Sequence, residues 1–183
     1  MKQTMHCEHG VFLSVLNSGL LIKGDAGIGK STLALELIER GHQFVSDDSV
    51  HFMIETDPNH SGQTKLIGKS PHILKDLLAV RDLGVMNISQ LFSVDTCLSQ
   101  HPLDLIVELV SDEQVLAVSL SGIESHTTIL GDAIPLQKIH AHPKRNLAVI
   151  VETAVKNYIL YKQRQDAATF LKKRQQKQTV KIL

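Results

Sequence analysis

Gly24-Asp25-Ala26-Gly27-Ile28-Gly29-Lys30-Ser31 fits the pattern G-x-x-x-x-G-K-[ST], and Asp47-Asp48 follow after one helix and one short strand. A glycine-rich turn lets the backbone bend tightly and aim successive N–H groups at phosphate oxygens. A helix opening at Lys30 adds the positive end of its dipole to the same anion. In such a P-loop Lys30 reaches the β- and γ-phosphates of a nucleoside triphosphate and the Ser31 hydroxyl ligates magnesium. Thr32, next in line, reads as a helix-opening residue. Two carboxylates so close behind can divide the remaining work. One holds Mg2+, directly or through water, and the other accepts the proton of an attacking hydroxyl. Alone, an Asp-Asp pair serves caps and turns as readily as catalysis. The loop beside it shifts the reading towards function.

The elements around these residues must place them. "HGVFLSVLNSGLLIKG" reads as two strands about a turn at Asn17-Ser18-Gly19, the second strand short and apolar as a buried strand should be. Lys30 to Arg40 has helical spacing, with Leu33, Leu35, Leu37 and Ile38 apolar, Glu36 and Glu39 outward, and Gly41 at the C-terminal cap. "QFVS" is a strand ending at Asp47. If it lies beside the strand of the glycine loop, both aspartates emerge at the carboxyl edge of the sheet, where α/β folds bind ligands. "SVHFMIE" alternates as a half-buried strand, "DPNHSGQT" is a turn, and "LDLIVELV" and "EQVLAVSL" read as strands. "SPHILKDLLAV" opens as a helix, with Ser70 as N-cap and Pro71 in the first position. "PKRNLAVIVETAVKNYILYKQ" is a long amphipathic helix. The expected fold is α/β: a single P-loop domain spanning residues 1–183, with a mixed β-sheet flanked by helices. The basic tail from about 172 reads as a solvated end.

A chain of 183 residues can build one domain with a full hydrophobic core. Net charge is zero, so no electrostatic argument favours nucleic acid or an acidic membrane surface. Two cysteines, Cys7 and Cys97, make no disulfide framework, and no stretch approaches a membrane span; the expectation is a cytoplasmic protein. "HCEH" has no second Cys/His pair at matching spacing, which argues against zinc. His140 and His142 read as surface or ordinary active-site histidines.

The stretch from His9 to Val50 resembles the catalytic domain of bacterial HPr kinase/phosphorylase. "LLAVRDLGVMNISQLF" is similar to that family's second motif, L-E-[IV]-R-G-L-G-[IL]-[IL]-[ND]-[IV]. "TTILGDAIPLQKIHAHPKRNLAVIVETAVKNY" is similar to its I-P-x-x-x-I-P-V-R-P-G-R-N-[LM]-A-x-[IV]-[IV]-E segment. The family phosphorylates a serine of the phosphocarrier HPr, with ATP or pyrophosphate as donor, and reverses the reaction with inorganic phosphate. The resemblance implies His9 as an active-site histidine, Lys30 and Ser31 on phosphate and Mg2+, and Asp47 as general base towards the serine. It places Asp48 with Ser31 on the metal, Arg81 in the second motif, and Arg145 beside Asn146 near the nucleotide. It also implies a homo-oligomer, the family hexamer, and a chain without the family's N-terminal domain.

Four positions depart from these motifs. Ala79 stands at the family's glutamate, Asp82 at the glycine after the arginine, and His142 and Lys144 at the first arginine and the glycine of V-R-P-G-R-N. Loss of an anionic metal ligand and a cationic clamp weakens charge stabilisation, above all for phosphorolysis. The expected function is therefore an HPr-directed serine kinase. The alternatives are a nucleotide-binding regulator with little transferase activity and a small-molecule kinase on the same scaffold.

Overall fold

The computed structural model describes residues 4–56, 64–111, 123 and 125–180. Strands β2 (Val11–Val15), β3 (Ser18–Gly24) and β10 (Leu105–Val110) are apolar at nearly every position because both their faces are covered. Leu20, Ile22, Leu105 and Val107 point to one core, while Phe12, Leu21 and Ile106 point to another. Together with β4 (Gln43–Ser46), β11 (Ser125–Ile129) and β12 (Asp132–His140) they form a six-stranded sheet in the order β11-β12-β10-β3-β2-β4. β12, β10 and β3 run parallel, and the outer strands pair antiparallel. The mixed α/β class expected from the sequence is the class observed.

Helices α1 (Lys30–Glu39) and α3 (Leu147–Lys162) cover one face of this sheet, through Leu33, Leu37, Val151 and Val155. α1 ends as expected: Gly41 and His42 donate to the Ile38 and Leu37 carbonyls, closing the last turn. On the other face lies a second sheet that the sequence reading does not anticipate. It is antiparallel, ordered β1 (Met5–His9), β5 (Ser49–Thr56), β6 (Thr64–Lys69), β9 (Gln100–Pro102). Phe12 and Phe52 meet edge to face between the layers at 5.6 Å. Gly68 is the point of closest approach: a Cβ there would lie 2.5 Å from Phe52 Cε1 and 2.6 Å from Phe12 Cε1. Gly68→Ala is accordingly expected to cost about 1–3 kcal/mol through overpacking, read as a lowered midpoint in urea. An unchanged midpoint would show that the rings can move aside.

Three expectations need correction. The hairpin turn falls at Leu16-Asn17, both at positive φ (53° and 63°), with Val15 opposite Ser18. A two-residue hairpin needs this geometry to match strand twist. β4 pairs with β2, which lies between it and β3. The segment opening at Ser70 forms only one 3-10 turn, His72–Leu74, with Pro71 outside it. The chain then enters β7 (Leu77–Val80), which pairs with β8 (Gly84–Asn87) and buries Leu78 and Val80. Strand pairing and burial there outweigh the local helix-start signal, and Asp76 at φ 60° turns the chain into the hairpin. A short helix α2 (Ile88–Leu91) follows. The basic tail is exposed as far as residue 175, as expected of a solvated end, and forms part of a helix, α4 (Ala167–Val180), capped by the Asp166 carboxylate on the Ala168 and Thr169 amides. The proposed turn at "DPNHSGQT", up to residue 63, and the proposed strand "EQVLAVSL" lie outside the described residues. Among the described residues no helix is long and apolar enough to cross a membrane.

Candidate active site

β3 delivers the chain at Gly24 into a loop whose glycines take conformations that other residues rarely adopt: φ is 80° at Gly27 and 105° at Gly29. Gly29 occupies the N-cap of α1, and no side chain caps the helix. The first turn also carries no acidic residue. Its leading N–H groups and dipole are thus left for an external anion. Asp25 and Ala26 are exposed at the loop tip, and the Ile28 N–H donates to the Asp25 carbonyl at 3.3 Å. Lys30 Nζ folds back onto the Gly24 and Asp25 carbonyls, at 2.8 and 3.0 Å, so its charge stays at the loop rim.

Asp47 meets this loop although β2 intervenes, because β4 runs in the same direction as β3 and ends at the same edge. Its side chain is 7% exposed. The Ser31 hydroxyl donates to Oδ1 at 3.5 Å and the Ala79 amide to Oδ2 at 3.0 Å. Burial pushes the Asp47 carboxyl above the usual aspartate range, and the Ala79 amide offsets only part of that rise. Asp48 points the other way. It sits at φ 64°, with the Ser49 N–H donating to the Asp47 carbonyl across it at 2.7 Å. This tight γ-turn sends one carboxylate inward and its neighbour into solvent. The Asp48 side chain, 71% exposed, lies 3.2 Å from His9 Nδ1. The Gly10 N–H donates to the Asp48 carbonyl at 3.4 Å and ties the two segments together.

Arg81, on the turn of the β7–β8 hairpin, lies over the loop. One of its terminal nitrogens is 3.2 Å from where a Cβ on Gly27 would stand. Arg145 is exposed and lines a cavity of about 490 Å3 with Ile28, Gly29 and Thr32, flanked by His142 and Lys144. Asn146 caps α3 by accepting from the Val149 amide. The structure therefore gathers the loop, Asp47, Arg81 and Arg145 about one edge, with His9 and Asp48 as a separate exposed pair. It does not join Ser31 to Asp48, the pair assigned to the metal: the Ser31 hydroxyl faces Asp47. Asp82, at φ 70°, lies in the turn of the β7–β8 hairpin. In "HCEH" the side chains diverge: His6 binds Glu8, Cys7 meets Ser49 and His9 meets Asp48. The sequence reading missed the Ala79 amide, since a backbone donor leaves no mark in residue type.

The family model for the HPr Serine kinase C-terminal domain matches residues 2–175. The chain belongs to this family. An HPr kinase/phosphorylase from Exiguobacterium sp. is 37% identical over 157 residues, covering 85% of this chain and 49% of that protein. One from Chromobacterium violaceum is 43% identical over 155 residues, covering 83% and 47%. The chain spans about half the length of the curated relatives it matches. Among solved structures, the Hpr(Ser) kinase/phosphatase from Coxiella burnetii superposes with a TM-score of 0.77 at 33% identity, covering 91% of this chain and 98% of that one. Ala79, which stands at the glutamate of the motif the chain resembles, brings its backbone amide to Asp47 at the edge where β3 and β4 end.

Proposed function

We propose that this chain transfers the γ-phosphoryl group of Mg-ATP, or a phosphoryl group of pyrophosphate, to a serine of an HPr-like phosphocarrier in the control of carbohydrate metabolism. The observation that carries the reading is the buried Asp47 carboxylate in contact with Ser31 at the uncapped start of α1. The loop amides, Lys30 and Arg81 hold and neutralise the phosphates. Asp47, of raised proton affinity, takes the proton of the incoming serine hydroxyl, and in reverse returns it. The exposed His9–Asp48 pair flanks the side from which an acceptor approaches.

The Ser31 hydroxyl would hold Mg2+, which takes few protein ligands and shares the rest with phosphates and water, while the Asp48 carboxylate is directed away beside His9. When bound, the ion neutralises charge on the phosphate oxygens. Arg145 and Thr32 stand where the nucleotide would extend beyond the loop. Ala79 and His142 favour a second reading, a nucleotide-binding regulator with little transfer, and they make phosphorolysis the weaker half-reaction.

Incubation with labelled ATP and HPr-type acceptors is expected to give acid-stable phosphoserine on the acceptor. Tight Mg-ATP binding without transfer, even after Ala79→Glu with His142→Arg, would select the regulator. Transfer to hydroxylated metabolites but to no protein would select a small-molecule kinase.

A further inference from the structure

A second cavity, of about 350 Å3, opens away from the glycine loop between β5, β6 and the segment that follows β6. His51, Lys69, His72 and Lys75 line it, together with the Ser70 and Ser99 hydroxyls. No carboxylate is among the lining residues. His51 and Lys69 stand directly opposite each other on β5 and β6, so their side chains share one face of the antiparallel sheet. None of the four basic side chains makes an ion pair or side-chain hydrogen bond among the described residues. Burial and the neighbouring Asp76 carboxylate push the Cys97 thiol up to about 12.

Lys69 is half-buried and Lys75 exposed at this concavity, so two positive charges with no carboxylate among the lining residues give it a field that attracts an anion. We infer that this cavity is a second anion site, built for a phosphate dianion: inorganic phosphate or a small phosphomonoester. Two lysines match the charge of a dianion. The Ser99 hydroxyl and the imidazoles supply further donors for its oxygens. The site shares a sheet face with the His9–Asp48 pair. Cys7 opposes His51 and His9 opposes Ser49, and the Cys7 sulfur touches the Ser49 hydroxyl at 3.1 Å along that face. One two-residue step on a strand is about 7 Å, so an anion here lies beside the acceptor side of the active site, off the nucleotide path.

The test is calorimetric titration of inorganic phosphate into the whole chain, with and without a saturating non-hydrolysable ATP analogue and Mg2+. In both conditions the wild type is expected to bind one phosphate that Lys69→Gln with Lys75→Gln weakens at least tenfold, and that Lys69→Arg with Lys75→Arg retains. The same titration with glycerol 3-phosphate shows which source binds tighter. Absence of any phosphate site sensitive to the two lysines, in either condition, overturns the inference. So does equal binding by the glutamine and arginine variants. Failure of the nucleotide analogue to bind would count against the kinase reading alone, because the phosphate titration without nucleotide still reports on this cavity.

Discussion

Asp47→Asn is expected to lower phosphoryl transfer to an HPr-type acceptor by about 10²–10⁴-fold, the usual contribution of a general base, while Mg-ATP affinity changes little. The amide keeps the shape of the side chain and can still accept from the Ala79 N–H, but it cannot take a proton from a serine hydroxyl. The wild-type rate should fall on the acid side with an apparent pKa above that of an ordinary aspartate, because burial first raises the Asp47 carboxyl. The Asp47→Asn enzyme should lose that limb. Stability runs the opposite way. A carboxyl whose pKa is raised in the fold costs stability once pH rises above its unfolded value, so at neutral pH Asp47→Asn should leave the melting temperature unchanged or higher. Lost transfer together with a retained fold separates catalysis from structure. Full transfer by the Asp47→Asn enzyme would remove the mechanism.

Glu152→Ala is expected to destabilise the fold by about 2–3 kcal/mol, a fall of about 5–10 °C in melting temperature for a chain of this size. Glu152 sits on α3, 9% exposed, and accepts from Arg40 Nε at 2.7 Å and a terminal Arg40 nitrogen at 2.6 Å, with His42 Nε2 at 2.9 Å. These bonds pin the C-terminal end of α1 and the entry to β4 against α3, and so help set the height at which Asp47 leaves the sheet. Arg40 is partly open to water, which holds the cost below that of a fully buried pair. The Arg40 fork, with His42 adding to it, holds the Glu152 carboxyl at about 2 against an ordinary 4.5. A depressed folded value stabilises above the unfolded value and is lost as pH falls through the folded one. The wild type should therefore lose this contribution between about pH 4.5 and pH 2. Acid-unfolding curves of wild type and Glu152→Ala should converge across that window. Parallel curves, or a melting shift below about 2 °C, would show that solvent replaces the cluster at little cost.

Much of this site was legible in residue order. The glycine loop, α1 with its apolar face and its Gly41 terminus, and the strand ending at Asp47 all rest on local rules: backbone freedom, helical spacing and caps. Such signals span a few residues and survive in any context. The segment from Ser70 shows where local rules fail. Serine and proline mark a helix start, yet a pairing partner at Gly84–Asn87 draws Leu77–Val80 into a hairpin that buries Leu78. That pairing also carries the Ala79 amide to Asp47 and Arg81 to the loop.

Residue order alone was enough to place a phosphate-holding loop and an acidic pair in one strand–helix–strand unit, and to identify the family. Which aspartate faces the loop was settled by the folded chain, through the γ-turn at Asp48. So were the insertion of β2 between the two strands and the backbone donor, 32 residues away, that completes the carboxylate's shell. The reason is physical: residue types encode the torsions and burial of their own segment. Which distant segment supplies the partner for a buried charge depends on how the whole sheet is ordered and covered.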